Sequence, residues 1–410
     1  MNQETETRFL LQCMGLIHDK QEISFDSLTE QDWIAINKKI YLHKIAPLVY
    51  YNLSQNNKLS NIPVSIARDL RLDYFQCSLN NTRTYHELSK ILKSADSNGI
   101  PIIVLKGAAL AGLVYTSHAL RPMNDMDLLI KPEDIRKAND MLIQLGWKCK
   151  IQNELLEILN QQGEDLEYVK NSMIDLHTTI RELPSVDPWA NSKAVNIASL
   201  NMQILGYEDF LMHISLHIYK HIQTAILLGG FGMTELTKFC DIILLIRKFQ
   251  NEINWDYIVR ISKLNQSASA LYTILNIVNR DLGENIPDDV LSELKGDAID
   301  LPINSVLYSN RKMSKTICFL LSDKLTKHFA MMLALHNANP DKYTIGWFIG
   351  YIFRSIFPNK EYMVKRYKIK KPSLYGFYYL IRIVTAIWKF LKAIPLYISN
   401  YKTKMKKNIG

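Results

Sequence analysis

Residues 101–107, PIIVLKG, constrain this chain more than any other stretch. A short apolar run ending in Gly, with Ala108 to Tyr115 continuing at helical spacing, is the pattern of a buried strand that turns directly into a helix. Seventeen residues after Gly107 comes NDMDLLI, a second strand that opens on two acids and runs on apolar. A chain carrying both must build a sheet with helices packed on it, and it must place charge at one edge of an apolar layer. Pro132 then opens a helix with Glu133 and Asp134 in its first turn, where the macrodipole favours anions, and Gly146 ends it. WKCKI, LEYVK and SMIDLHTTI follow as strands, the last two separated only by Asn171, which predicts a hairpin at the end of a small mixed sheet.

The flanks read as helix. Before the sheet, periodicity predicts helices over 7–18, 31–52 and 63–97, the third closed by Asn98-Gly99 because both tolerate the left-handed C-cap conformation. After it, the 3.6 period returns over 207–249 and continues with interruptions to about residue 335, Pro287 and Pro302 marking two breaks. The expected organisation is α+β: a helical region over 1–98, a small mixed-sheet core over 99–185, a helical domain over 186–345 and a basic helical tail over 346–410.

Charge is divided along the same lines. The whole chain carries +9, but the residues from Lys360 onward contain thirteen Lys or Arg and one acid, Glu361, which leaves the first 359 residues at −3. An anionic partner belongs at the tail, and extensive nucleic-acid binding by the body is not expected, because it needs a basic footprint. Hydrophobic residues at 48% and charged residues at 22% exclude disorder, collagen-like repeats and a polytopic membrane protein. Five widely spaced cysteines without CxxC form neither a disulfide framework nor a zinc site. The acidic start, MNQETETRFL, lacks the features of a signal peptide, so a cytoplasmic protein is expected.

Asp125 and Asp127 are two apart in a strand, so both side chains leave the same face, about 6 to 7 Å apart, while Met126 points the other way. Two carboxylates beside a core are costly unless a cation neutralises them, and Mg²⁺, which takes carboxylate and phosphate oxygens, is the economical choice. Asp175, in IDLHTTI, sits between apolar neighbours and supplies a third acid if its strand lies beside the first. Lys106-Gly107 ends a strand before a helix, where free N–H groups, the helix dipole and an ammonium suit phosphate.

This order of strand, Gly turn, helix, Asp-x-Asp strand and third acid resembles the nucleotidyltransferase superfamily of the DNA polymerase beta type. VLKGAALAGLVY, RPMNDMDLLI and MIDLH look more closely like the bacterial uncharacterised nucleotidyltransferase family, found beside polysaccharide or peptide-modification genes. IYLHKIAPLVYYNL, YEDFLMHISLHIYKH, LTKFCDIILLI and FPNKEYMVKRY resemble its flanking helices. The resemblance implies transfer of an NMP from an NTP to a hydroxyl or phosphate of an unidentified acceptor. Asp125, Asp127 and Asp175 would hold two Mg²⁺ ions, one carboxylate or a metal-bound hydroxide taking the acceptor's proton. Lys106, Gly107 and Ala108 would form the nucleotide-binding turn, although Ala108 stands where the wider superfamily has Ser and the spacing to Asp125 is longer than usual there. Two other classes stay open: a nucleotide-binding module without turnover, and a toxin-like enzyme modifying tRNA or protein.

Several residues admit two readings. Arg121, on the loop entering the Asp strand, either grips triphosphate or fixes the loop through a salt bridge. His177 shares a strand face with Asp175 and either touches nucleotide or holds that acid. His213, His217 and His221 recur every fourth residue, but no Glu joins them in an HExxH arrangement, so partly buried packing is favoured over zinc. For Asp241 an ion pair with a neighbouring Lys is favoured over a general base facing the cleft. Neutralising one of the paired acids, as in Asp127→Asn, is expected to spare stability by relieving repulsion. In the tail, residues 375–398 are apolar but broken by Arg382, Lys389 and Lys392, which excludes a spanning helix and leaves a helix docked on the body or one resting on anionic lipid.

Overall fold

A computed structural model describes residues 3–16, 23–150, 165–227 and 235–295. The tail, the stretch around Pro302 and Cys318 fall outside the described residues. All described residues but 224–227 belong to one compact unit. Among the described residues no helix is long and apolar enough to cross a membrane.

Four helices precede the sheet: α1 (Gln3–Cys13), α2 (Glu30–Leu42), α3 (Ala46–Gln55) and α4 (Val64–Ser97). Periodicity alone predicts one helix over 31–52, but the chain breaks at Lys44, whose φ of +54° is left-handed, and restarts with Pro47 in the first turn of α3. α2 is fastened by a capping box between Thr29 and Asp32. The 34-residue α4 closes as expected, with Gly99 at φ +65°. Its buried Asn81 donates to the carbonyls of His118 and Arg121, and its Tyr85 hydroxyl donates to the Ala108 carbonyl at 2.9 Å. One long helix therefore braces both segments that lead into the site.

The sheet has seven strands among the described residues: β1 (Ile103–Val104), β2 (Asp125–Leu129), β3 (Lys148–Cys149), β4 (Leu166–Val169), β5 (Met173–His177), β6 (Lys193–Ile197) and β7 (Leu200–Ile204), ordered β3-β4-β5-β2-β1-β7-β6. Helix α5 (Lys106–Leu113) follows β1, and α6 (Ile135–Gln144) follows β2. β4 and β5 form the expected hairpin, while β2 runs parallel to β5 and antiparallel to β1. The sheet continues past residue 185, where the sequence predicts a helical domain. β6 and β7 are joined at Ala198 and Ser199, both left-handed at φ +50° and +65°. Such a turn normally advertises itself with Asn-Gly, and here it does not. Beyond it run α7 (Tyr207–Leu227), α8 (Leu236–Phe249), α9 (Trp255–Leu264), α10 (Ala268–Leu282) and α11 (Asp288–Lys295), the last entered from Pro287.

Met126 and Leu128 on β2, with Ile174 and Leu176 on β5, are buried on one face of the sheet. The alternate residues, Asp125 and Asp127 on β2 and Asp175 and His177 on β5, occupy the other. This alternation fixes the register, since a slip by one residue would bury acids in the apolar layer.

Candidate active site

The parallel pairing of β2 and β5 sets Asp127 directly opposite Asp175, and Asp125 opposite Met173. The three acids thus share one face of the sheet centre, as the strand pattern predicts. They are not equivalent. Asp127 is 95% buried, and its Oδ1 accepts from Lys106 Nζ at 2.7 Å and pairs with His177 Nε2 at 3.0 Å. Burial by itself would raise this carboxyl, but the His177 hydrogen bond and the Lys106 charge outweigh burial and hold it well below the ordinary range. Asp125 and Asp175 lack such partners. Both are raised by burial and then by neighbouring carboxylates, Asp175 to about 6. Asp175 Oδ1 is buried with no hydrogen-bond partner among the described residues.

His177 joins two acids, because its Nδ1 lies 2.8 Å from Asp165 Oδ1. Burial would lower its pKa, yet the bonds to Asp127 and Asp165 lift it to about 9, so the ring is an imidazolium at neutral pH. Arg181 approaches Asp165 at 3.6 Å. Of the two sequence readings of His177, the structure shows the ring held against Asp127 and Asp165 rather than Asp175. Asp165 escaped the sequence reading, although reflection of the β4–β5 hairpin about Asn171 places it opposite His177.

Lys106 is the first residue of α5 and has φ +41°, a left-handed conformation uncommon outside Gly and Asn. Gly107 faces a close neighbour: a Cβ there would lie 2.5 Å from Arg121 Nη1. The guanidinium fills the space that the glycine leaves. Ala108 is fully buried. Arg121 makes the salt bridge of its second reading, donating from Nε and Nη2 to the two oxygens of Asp241, each at 2.8 Å, and Tyr115 donates to Asp241 Oδ1 at 2.8 Å. Burial would lower the Arg121 pKa, but Asp241 raises it overall. Asp241 is ion-paired, but its partner is Arg121 on the distant loop rather than a neighbouring Lys.

On α7, His217 and His221 meet through their Nε2 atoms at 2.8 Å. Burial pushes His217 down to about 3, and burial with the Lys238 charge takes His221 to about 4, so both rings are neutral. Glu182, another residue the sequence did not single out, approaches His213 at 3.4 Å and His217 at 3.9 Å. His213 is buried, and among the described residues neither ring nitrogen is hydrogen-bonded.

Among the described residues no three His, Cys, Asp or Glu side chains stand ready arranged around a metal position. The donor chemistry nevertheless fits a hard divalent cation. Three like charges converge on one face, two with raised carboxyls, and one buried oxygen has no partner.

Residues 29–283, well over half of the chain, match the family described as uncharacterised nucleotidyltransferase. The chain belongs to that family. No curated protein matches this nucleotidyltransferase by sequence. Three solved structures are similar to it. The solution structure of the antibiotic-resistance factor ANT(2'')-Ia is 15% identical, covers 48% of this chain and 96% of its own, and gives a TM-score of 0.32. The crystal structure of ANT(2")-Ia in complex with adenylyl-2"-tobramycin is 14% identical, covers 46% and 98%, and also gives 0.32. An antigenic nucleotidyltransferase-like protein from Paracoccidioides brasiliensis is 17% identical, covers 51% and 90%, and gives 0.30.

Proposed function

We propose that this nucleotidyltransferase moves an NMP from an NTP to a hydroxyl or phosphate oxygen of an acceptor, with Asp125, Asp127 and Asp175 as the residues that would hold Mg²⁺. The observation that carries the reading is the register that sets Asp127 against Asp175, with Asp125 two residues away and Lys106 at the adjoining strand-to-helix turn. Bound Mg²⁺ would neutralise the polyphosphate and draw charge from the α-phosphorus. The chain's own groups do the rest. Lys106 binds phosphate oxygens as a point charge. Asp175, with a carboxyl raised to about 6 and one oxygen unpartnered, accepts the acceptor's proton as the new P–O bond forms and pyrophosphate leaves. His177 and Asp165 hold Asp127 in place, and the Arg121–Asp241 pair supports the turn at Gly107. The acceptor is a sugar phosphate or other glycan precursor, a small molecule, a peptide or RNA. The basic tail either docks on the body or rests on an anionic lipid surface, and sedimentation of the full chain with anionic and neutral liposomes separates the two.

The decisive experiment incubates the full chain with each α-labelled NTP, Mg²⁺ and a cell metabolite extract, following transfer of label and release of pyrophosphate. Label should pass to one acceptor class and vanish with Asp125→Asn. Nucleotide that binds without turnover across all extracts would show a binding module instead.

A further inference from the structure

Asp127 Oδ1 is engaged twice, by the Lys106 ammonium at 2.7 Å and by His177 at 3.0 Å. An oxygen so occupied has no room for a divalent ion, while Asp175 Oδ1 has no hydrogen-bond partner among the described residues. The acids are therefore half closed by an internal cation and half open. Asp125 and Glu182 also act on Lys106 through space, so the ammonium answers to more than one acid. The His177 ring has a second anchor, at Asp165, whereas among the described residues the Lys106 ammonium is hydrogen-bonded to Asp127 alone.

We propose that Lys106 is an exchangeable counter-ion: it occupies Asp127 while the site is empty, keeps free divalent metal out, and passes to the phosphates when metal and polyphosphate arrive together. The inference rests on the metal role proposed for the three acids. Its physical basis is charge balance. A bare divalent ion entering beside an ammonium meets repulsion and gives the displaced lysine nothing to bind. A metal–polyphosphate complex is anionic, so it supplies the ammonium with a new partner as it takes the old one. A lysine suits this exchange, being a compact charge on a rotatable four-carbon stem. Metal and polyphosphate then bind with positive coupling, and linkage makes the coupling reciprocal.

The test uses the full chain, with Mn²⁺ followed by electron paramagnetic resonance and water-proton relaxation, alone and with inorganic tripolyphosphate. Lys106→Met should bind Mn²⁺ alone about 10-fold more tightly than wild type, and the Mn²⁺–tripolyphosphate complex about 10-fold more weakly. These opposite signs separate an exchange from a general loss of structure. Lys106→Gln takes the place of the methionine variant should that one fail to fold. Unchanged or weaker binding of Mn²⁺ alone by the folded variant overturns the exchange but leaves the metal reading standing. Absence of Mn²⁺ binding by wild type under both conditions overturns the metal reading, and the exchange with it.

Discussion

Two buried carboxylates at the heart of this protein, Asp127 and Asp241, each meet a cation and a second polar partner, yet their surroundings differ in one respect. Both oxygens of Asp241 are taken by the fork of Arg121, with Tyr115 added. Asp127 is satisfied through one oxygen, with Asp125 and Asp175 on the same face and under-neutralised beside it. A saturated pair pins elements together. An acid set with surplus negative charge is poised to take a cation from outside.

The largest expected effect would break this contrast at its functional end. Asp125→Asn and Asp127→Asn should each lower nucleotidyl transfer by ~10³-fold, about 4 kcal/mol of transition-state stabilisation, in a pyrophosphate-release assay. The two should differ in melting. Asp127→Asn strands Lys106 and His177 and melts lower than wild type, contrary to the sequence expectation of spared stability, because the contacts depress this carboxyl rather than raise it. Asp125→Asn removes a strained charge and melts no lower.

At the structural end, Arg121→Met leaves Asp241 buried with Tyr115 alone and should cost about 3 kcal/mol in chemical denaturation. Gly107→Val should cost ~1–3 kcal/mol in the nucleotide-free protein, since its side chain meets the guanidinium. The phosphate-turn reading of Lys106-Gly107 predicts instead a loss of NTP affinity larger than the loss of stability, which calorimetry with NTP measures. A double-mutant cycle sharpens the point, because the Gly107→Val penalty should shrink when Arg121 is already methionine.

Smaller effects follow from titration in the metal-free protein. The raised Asp175 carboxyl means that its ionised form costs stability, a cost that appears as pH rises from 3.8 and is complete above about 6. Asp175→Asn should therefore melt about 2–4 °C higher than wild type at pH 7.5, equivalent to ~1 kcal/mol after discounting for partial exposure, and no higher at pH 3.5. His177 has the opposite sign. Its raised pKa gives stability that is full below 6.5 and is lost as pH climbs through about 9. The melting difference between wild type and His177→Gln should narrow across that window.

Much of the fold was legible because β1, β2, β4 and β5 announce themselves by apolar runs, alternation and a two-sided hairpin. What escaped shares a physical cause. Lys44, Ala198 and Ser199 adopt positive φ without being glycine, so the β6–β7 hairpin carries no residue-type signal and the α2–α3 break carries only Pro47. Asp125 and Asp127 could be placed on one face from period two alone, while Asp175 joins them only through the pairing of β5 with β2. Their inequality could not, because it depends on Lys106 reaching across to β2 and on Asp165, visible only after the hairpin register is worked out. The partner of Asp241 lay 120 residues away, beyond any local pattern.

The parallel contact between β2 and β5 also bears on how the chain reaches this state. β5 can pair with β4 through a local hairpin, but its pairing with β2 closes a loop of about 45 residues, and such non-local closures are slow. Repulsion between Asp127 and Asp175 is absent from either strand alone and arises only as that closure completes. The acids that equip the site thus weigh on the last joining of its two halves, and Asp175→Asn is expected to refold faster than wild type in stopped-flow experiments at neutral pH.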